Sequence, residues 1–383
     1  MAIVTSIFLA TLIVIQLAKG YRPDWNNKSL RPTGLLAVTS QPTGAQVWIN
    51  QKLKGATDTT FFLTPGEYEV EIKKDGYTSW KKTLTIEKEL VTKADAYLFP
   101  HFPDLKTMTF TGALKPVLSP DGTKVVFGVS GQEADKNGLW VLDLTEIPFV
   151  SKEPRMILKN SPAGPDFTKG SYSFSPDSRQ VLLTIKTGRF EENYLLDPNV
   201  LTSPEHLQNI TPTLPLIQKQ WEKDQKEKQQ QKMKKLPEEL ISILENSTKN
   251  ISFSPDETKI LYTATDSATL ADNLIPPVPA ASNQKQERTI KKDHTYVYDI
   301  KEDRNFFITD QEPPCWFPTS KHLYWVSKNQ VTIIEYDGTN RTAIYEGPFE
   351  NTYAFPFPSG TKLLVLTSLG KNQPANLYSA SLR

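Results

Sequence analysis

The chain has 383 residues, enough for two or three domains or for one large repeat domain beside a small one. Its 44 basic and 43 acidic residues nearly cancel, which argues against a polyelectrolyte partner such as nucleic acid. A single cysteine, Cys315, excludes an intrachain disulfide and a cysteine-built zinc site, so burial must hold the fold together.

"MAIVTSIFLATLIVIQLA" carries no charged side chain before Lys19. As a helix it measures about 27 Å, close to the roughly 30 Å of a hydrocarbon core. Residues 1–19 are therefore expected to be a single-pass transmembrane anchor, with a cleaved signal peptide as the rival. Lys19, Arg22, Lys28 and Arg31 all follow the segment, which by the positive-inside rule would leave the bulk of the chain in the cytoplasm. The downstream domains favour an extracytoplasmic location instead. Residues 20–33 are polar, carry proline, and read as a linker.

From 34 to 99 short strands alternate with turns at Pro42-Thr43-Gly44, Pro65-Gly66 and Asp75-Gly76. Tyr68, Val70 and Ile72 alternate with Glu67, Glu69, Glu71 and Lys73, the signature of a strand with one apolar and one charged face. The stretch predicts a small β-sandwich. "SQPTGAQVWINQ" and "LTPGEYEVEIKKDGYTSWKKTLTI" resemble a PEGA domain, an envelope-associated β module. The naming motif stands as Pro42-Thr43-Gly44-Ala45, with Thr in place of the usual Glu, and Gln51 and Asp58 also depart from the family pattern.

Beyond residue 101 one phrase recurs. "VLSPDGTKVVFGVS" begins at Val117, "SFSPDSRQVLLTI" at Ser173 and "SFSPDETKILYTA" at Ser252; weaker copies begin at Cys315 and Pro356. Serine accepts a local hydrogen bond, proline presets φ, and aspartate suits the next place in a tight turn. Each turn leads into a strand, and a second strand follows, as in "GLWVLDL", "TYVYDI" and "VTIIEYD". Such small sheets need neighbours on both faces, which implies a radial array. Residues 101–383 resemble TolB-like, WD40-like β-propellers, whose repeats carry "FSPDG". The five copies of the phrase give five blades, or six if residues 195–250 conceal another. "LKTMTF" from Leu105 would supply the outer strand of the last blade. The fold class expected is thus mainly β: transmembrane helix, PEGA-like sandwich, then a five-bladed (or six-bladed) propeller with a helical insertion.

Two insertions interrupt the repeats. Residues 214–247 have helix-forming composition: a lysine-rich first half and a second half with an apolar stripe at Leu236, Leu240, Ile241 and Leu244. The expectation is a solvated helical hairpin docked by Leu240 and Leu244, with a basic arm for an anionic partner as the alternative. Residues 272–293 read as a mobile loop within one blade.

The sequence offers no catalytic, cofactor-binding or metal-binding constellation. There is no G-x-S-x-G elbow, phosphate loop or H-E-x-x-H motif. His101, His206, His294 and His322 are isolated and expected to be solvated. Asp121, Asp177 and Asp256 recur because they build turns. Trp140, Trp316, Trp325, Tyr296 and Tyr298 are expected in the packing between blades. The function implied is that of a non-enzymatic, membrane-anchored envelope protein that binds a protein or cell-wall component at the propeller's loop face. A cytoplasm-facing scaffold and an enzyme with its site in the channel stay open as alternatives.

Overall fold

The computed structural model describes residues 2–18, 20–24, 29–131, 134–146, 152–161, 164–276, 284–370 and 373–383. The first element, α1 (Ala2–Ala18), is helical as its composition dictates, with Ser6 and Thr11 hydroxyls bonded back to the carbonyls of Ile3 and Ile7. It is 17 residues long, about 25 Å at the helical rise. Among the described residues no helix is long and apolar enough to cross a membrane, which overturns the transmembrane anchor and the single-pass membrane location built on it. Lys19 and Lys28, two of the four cations weighed for orientation, lie outside the described residues. The expected linker contains a short hairpin, β1 (Arg22–Asp24) with β2 (Ser29–Arg31).

The sandwich comprises β3 (Gly34–Gln41), β4 (Gln46–Ile49), β5 (Lys52–Ala56), β6 (Thr59–Leu63), β7 (Gly66–Lys73), β8 (Trp80–Ile86) and β9 (Val91–Tyr97). One sheet runs β6-β3-β9 and the other β5-β4-β7-β8. Period-two alternation turns Leu36, Val38, Val47, Ile49, Val70, Ile72, Leu84 and Ile86 into the shared core.

Five antiparallel sheets follow. Strand β10 (Leu105–Thr107) belongs to the last of them. Blade one holds β11 (Leu114–Leu118), β12 (Lys124–Val129), β13 (Gly138–Asp143) and β14 (Arg155–Lys159); blade two holds β15 (Ser171–Phe174), β16 (Val181–Thr187) and β17 (Phe190–Leu196). After α2 (Leu214–Met233) and α3 (Glu238–Ser247) comes blade three. It contains β18 (Thr248–Phe253) and β19 (Lys259–Ala264), the side hairpin β20 (Ala268–Thr269) and β21 (Thr289–Ile290), then β22 (Thr295–Asp299) and β23 (Arg304–Thr309). Blade four is β24 (Cys315–Trp316), β25 (His322–Ser327), β26 (Gln330–Glu335) and β27 (Thr342–Glu346). Blade five is β28 (Ala354–Pro356), β29 (Lys362–Thr367) and β30 (Asn376–Ser381), completed by β10 on the edge of β30.

Shared cores set the order of the sheets. Val141 and Leu158 of blade one pack with Tyr172 and Leu183 of blade two, while Val125 and Phe127 on the other face of blade one meet Leu364 and Leu377 of blade five. Blade five in turn packs on blade four through Val365 and Ile333, and blade four on blade three through Leu323 and Phe306. The remaining face of blade three, with Tyr262, Tyr296 and Tyr298, is covered by Leu236, Leu240 and Leu244. A helical pair therefore stands where a sixth sheet would have to lie. It leaves the edge of blade two, where the Ile210 amide bonds the Asn193 carbonyl at 2.8 Å, and runs directly into β18.

The recurrent turn is the same object five times. Its fourth residue, Gly122, Ser178, Glu257, Ser320 or Gly360, adopts φ between 57° and 71° and donates its amide to the carbonyl three residues earlier. In the three Ser-Pro-Asp copies the serine hydroxyl donates to the aspartate (2.6 Å for Ser119–Asp121) and accepts the amide that opens the next strand. The turns also join blades: the Asp121 amide donates to Ser178 Oγ at 3.1 Å, and the Asp256 amide to Ser320 Oγ at 3.0 Å.

Candidate functional site

Strand direction gives the ring two ends. The Ser-Pro-Asp turns and the loops after Asp143, Asp299 and Glu335 share one end; the hairpin before Phe190 and the connection around Leu369 share the other. The sandwich is seated on the turn end, against blades three and four. Its edge strand β8 buries Trp80, Leu84 and Ile86 on one face, and Lys82 occupies the intervening place on that same face.

Lys82 supports the junction. Its Nζ lies 2.5 Å from Glu335 Oε2 and 2.5 Å from Asp337 Oδ2, both at the end of β26. Trp80 Nε1 donates to Glu335 Oε1 at 2.5 Å, and Asn340 Nδ2 donates to the same oxygen at 3.1 Å. The Lys81 amide donates to Asn340 Oδ1 at 2.9 Å. Burial disfavours the Lys82 cation, but the charges of Glu335 and Asp337 outweigh it and hold the ammonium protonated. Burial pushes the Glu335 carboxyl up, and Lys82 offsets this only in part because Asp337 adds a second negative charge. A second link joins Lys321 to Asp95 of β9, which also accepts the Thr39 hydroxyl at 2.9 Å. A third is Gln284 Nε2 donating to the Thr83 carbonyl at 2.9 Å.

Between these links lies a cleft of about 460 Å³, lined by residues of both domains that include Lys93, Lys259, Tyr336 and Gln284. Lys259 Nζ stands 4.6 Å above the Tyr336 ring and 3.8 Å from Asp299. His322 forms part of the wall. It is not solvated as expected but 3 % exposed, ringed edge-on by Tyr97, Phe99 and Phe317, with Nδ1 3.1 Å from Thr319 Oγ1. Desolvation, followed by the nearby Lys321 and Lys82 charges, holds its pKa down to about 3. Asp337 and Asp95 are the carboxylates near enough to oppose that shift.

The other residues singled out in the sequence are dispersed. His101 and His206 are exposed, and His294 stacks on Tyr296 and lies tilted against Phe307. Among the described residues no group of three or more His, Cys, Asp or Glu could hold a metal ion. Tyr296 and Tyr298 are fully buried under α3; Trp140, Trp316 and Trp325 pack into the inter-blade cores with their indole N–H bonded to carbonyls of Lys136, Ser252 and Glu312. Cys315 is exposed in β24. The loop expected over 272–293 is structured at its flanks. Strands β20 and β21 pair, the Glu287 amide bonds the Asn305 carbonyl at 2.7 Å, and Arg288 clamps Asp303 (Nη2–Oδ2 2.6 Å); residues 277–283 lie outside the described residues. The end of the ring opposite the sandwich carries Phe110, Phe190, Leu369 and Leu114, which are 82, 77, 60 and 43 % exposed.

Residues 33–101 match the PEGA domain family. No curated protein sequence matches the chain. Similar solved structures include a TolB of Agrobacterium tumefaciens, at 15 % identity over 69 % of this chain and 76 % of that one, with a TM-score of 0.22. Another is TolB of Acinetobacter baumannii, at 14 % identity over 82 % and 60 % of the two chains, with a TM-score of 0.23. A third is the β-propeller domain of the Trilobed protease of Pyrococcus furiosus, at 13 % identity over 91 % and 83 %, with a TM-score of 0.19. The sheet order and shared cores, not these similarities, carry the description of the ring.

Proposed function

We propose that this chain is a non-enzymatic binding protein of the bacterial envelope, in which a PEGA sandwich is fixed to one end of a five-sheet ring and the opposite end receives a protein partner. The observation that carries this reading is the asymmetry of the ring. The turn end is occupied by the sandwich through the buried Lys82–Glu335–Asp337 cluster, while the other end exposes large apolar side chains on loops from blades one, two and five. Exposed aromatic and aliphatic groups on loops of a supported scaffold favour a protein surface, whose association is driven by their burial.

In-cell photocrosslinking tests this. A crosslinker at Phe110 or Phe190 is expected to yield a discrete protein adduct that one at Trp48, on the sandwich, does not. Adduct formation only from the sandwich would overturn the assignment of the binding end. Retention of the purified protein on isolated cell wall, abolished by Phe110→Ser and Phe190→Ser, would replace the protein partner with a cell-wall one.

A further inference from the structure

The helical pair has a part that the packing of blade three does not use. Helix α3 is consumed by its core contacts, but α2 is attached only near its ends. Leu214, Ile217 and Trp221 are half-buried at the start, and Met233 is buried at the finish beside Lys232, which reaches Glu257 at 3.0 Å. Between them every residue from Glu222 to Gln231 is exposed, on the faces turned toward the ring as well as away from it. A helix this polar on all sides gains nothing from a core of its own, and short isolated helices are marginal in water. Its internal support is slight: Lys223–Glu227 at 3.9 Å and Gln220–Asp224 at 2.7 Å.

The charge of the arm is patterned. From Lys219 to Lys235 there are seven lysines against three acids, in a chain whose charges otherwise nearly cancel. At about 100° per residue, Leu216, Lys219, Lys223, Lys226 and Gln230 fall within an arc of about 80°. Ile217 and Trp221, the half-buried pair, point the opposite way. Beside Ile217 and Trp221 the stripe thus faces away from the ring, while the next place at the same spacing, Met233, is buried against blade three; the three-four spacing keeps the lysines on one side along the exposed part of the helix. Leu216, 70 % exposed, begins it.

From this stripe we infer that α2 is a docking arm for an acidic helix of a partner protein. Lysines along this exposed face match glutamate and aspartate on a facing helix, the kind of pairing that flanks the apolar seam of a coiled coil, and such pairs set partner choice and approach. A membrane surface fits less well, because an interfacial helix needs an apolar face and Leu216 is the lone apolar residue of the stripe. A nucleic acid fits less well too, since the arm contains no arginine to fork onto phosphate or base edges.

Fluorescence anisotropy with the full chain tests the inference using three probes: a synthetic glutamate-rich coiled-coil peptide, anionic phospholipid vesicles and a DNA duplex. The peptide is expected to bind in a salt-sensitive manner. The triple reversal K219E/K223E/K226E is expected to weaken it by at least about tenfold. Reversing three exposed lysines elsewhere, K52E/K54E/K159E, changes net charge equally and is expected to have less than about a threefold effect. Equal losses in the two triple variants, no binding of the peptide, or tighter salt-matched binding to vesicles or DNA would each overturn the assignment. The altered side chains are exposed, and an unchanged circular dichroism melt verifies that each variant is folded. The two tests alter different side chains, Phe110 and Phe190 at the ring's open end and the lysines of α2, so their failures are read separately.

Discussion

Lys82 is the residue on which the arrangement of the two domains turns. A buried cation facing two buried carboxylates is costly to form but more costly to break, because removal of one member strands the others in a medium that solvates them poorly. Lys82→Met is therefore expected to destabilise the protein by about 3–5 kcal/mol in urea unfolding. Glu335→Gln is expected to cost less than that, because Asp337 still faces the Lys82 ammonium and an amide oxygen can still accept from Trp80. Equal losses in the two variants would contradict this account. Neighbouring His322 gives a pH signature. Its folded pKa lies far below the ordinary 6.5, so between that value and about 3 the unfolded chain binds a proton that the folded one refuses. Stability then falls as pH drops through this window, by about 1.4 kcal/mol per unit for one group. Replacement by phenylalanine, which keeps the ring packing, is expected to flatten the unfolding free energy between pH 6 and 4 by about that slope; an unchanged slope would show that His322 is protonated in the fold.

At the scale of elements, the Ser-Pro-Asp turn explains why a short phrase recurs where the strands around it diverge. Three demands act on a few residues: a hydroxyl to cap the turn, a carboxylate to receive it, and a fourth residue with positive φ. Ser254 is 1 % exposed and serves both Asp256 and the Lys259 amide. Ser254→Ala is expected to cost about 1–3 kcal/mol in thermal or urea unfolding, because the amide loses its acceptor inside the protein. The strands and the five turns were legible for this reason, since alternation and turn chemistry are local. The docking of α3 was legible as well, because Leu236, Leu240 and Leu244 recur at helical spacing. The β20–β21 side hairpin was not, because two-residue strands carry no period. The membrane helix failed on length: apolar composition from Ala2 to Ala18 specifies a helix, but its 17 described residues, about 25 Å, are fewer than the roughly 20 a span usually takes.

For the molecule as a whole, the seam between sandwich and ring was hidden for a different reason. Its members come from Trp80–Lys82, Asp95, Lys321–His322 and Glu335–Asp337, more than 250 residues apart at the extremes. No local pattern joins them. One signal was present: in "SWKKTLTI" Lys82 interrupts the apolar alternation of Trp80, Leu84 and Ile86, and a charge on a buried face implies a buried counter-charge. The acids ending "VTIIEYD" were the matching half. His322 had no such tell, since two of the three rings that exclude water from it, Tyr97 and Phe99, are supplied by the other domain.

Strand β10 has an implication for biogenesis. It directly follows the sandwich in sequence, yet it bonds to Tyr378, Ser379 and Ala380. While the polypeptide emerges from the ribosome, the sandwich can complete itself early, whereas Leu105–Thr107 must wait until Tyr378–Ala380 has been made for its mate. Contacts of such sequence separation form slowly. The interval leaves the first and last sheets with uncovered faces, so this is the stage at which chaperone protection matters most to the nascent chain.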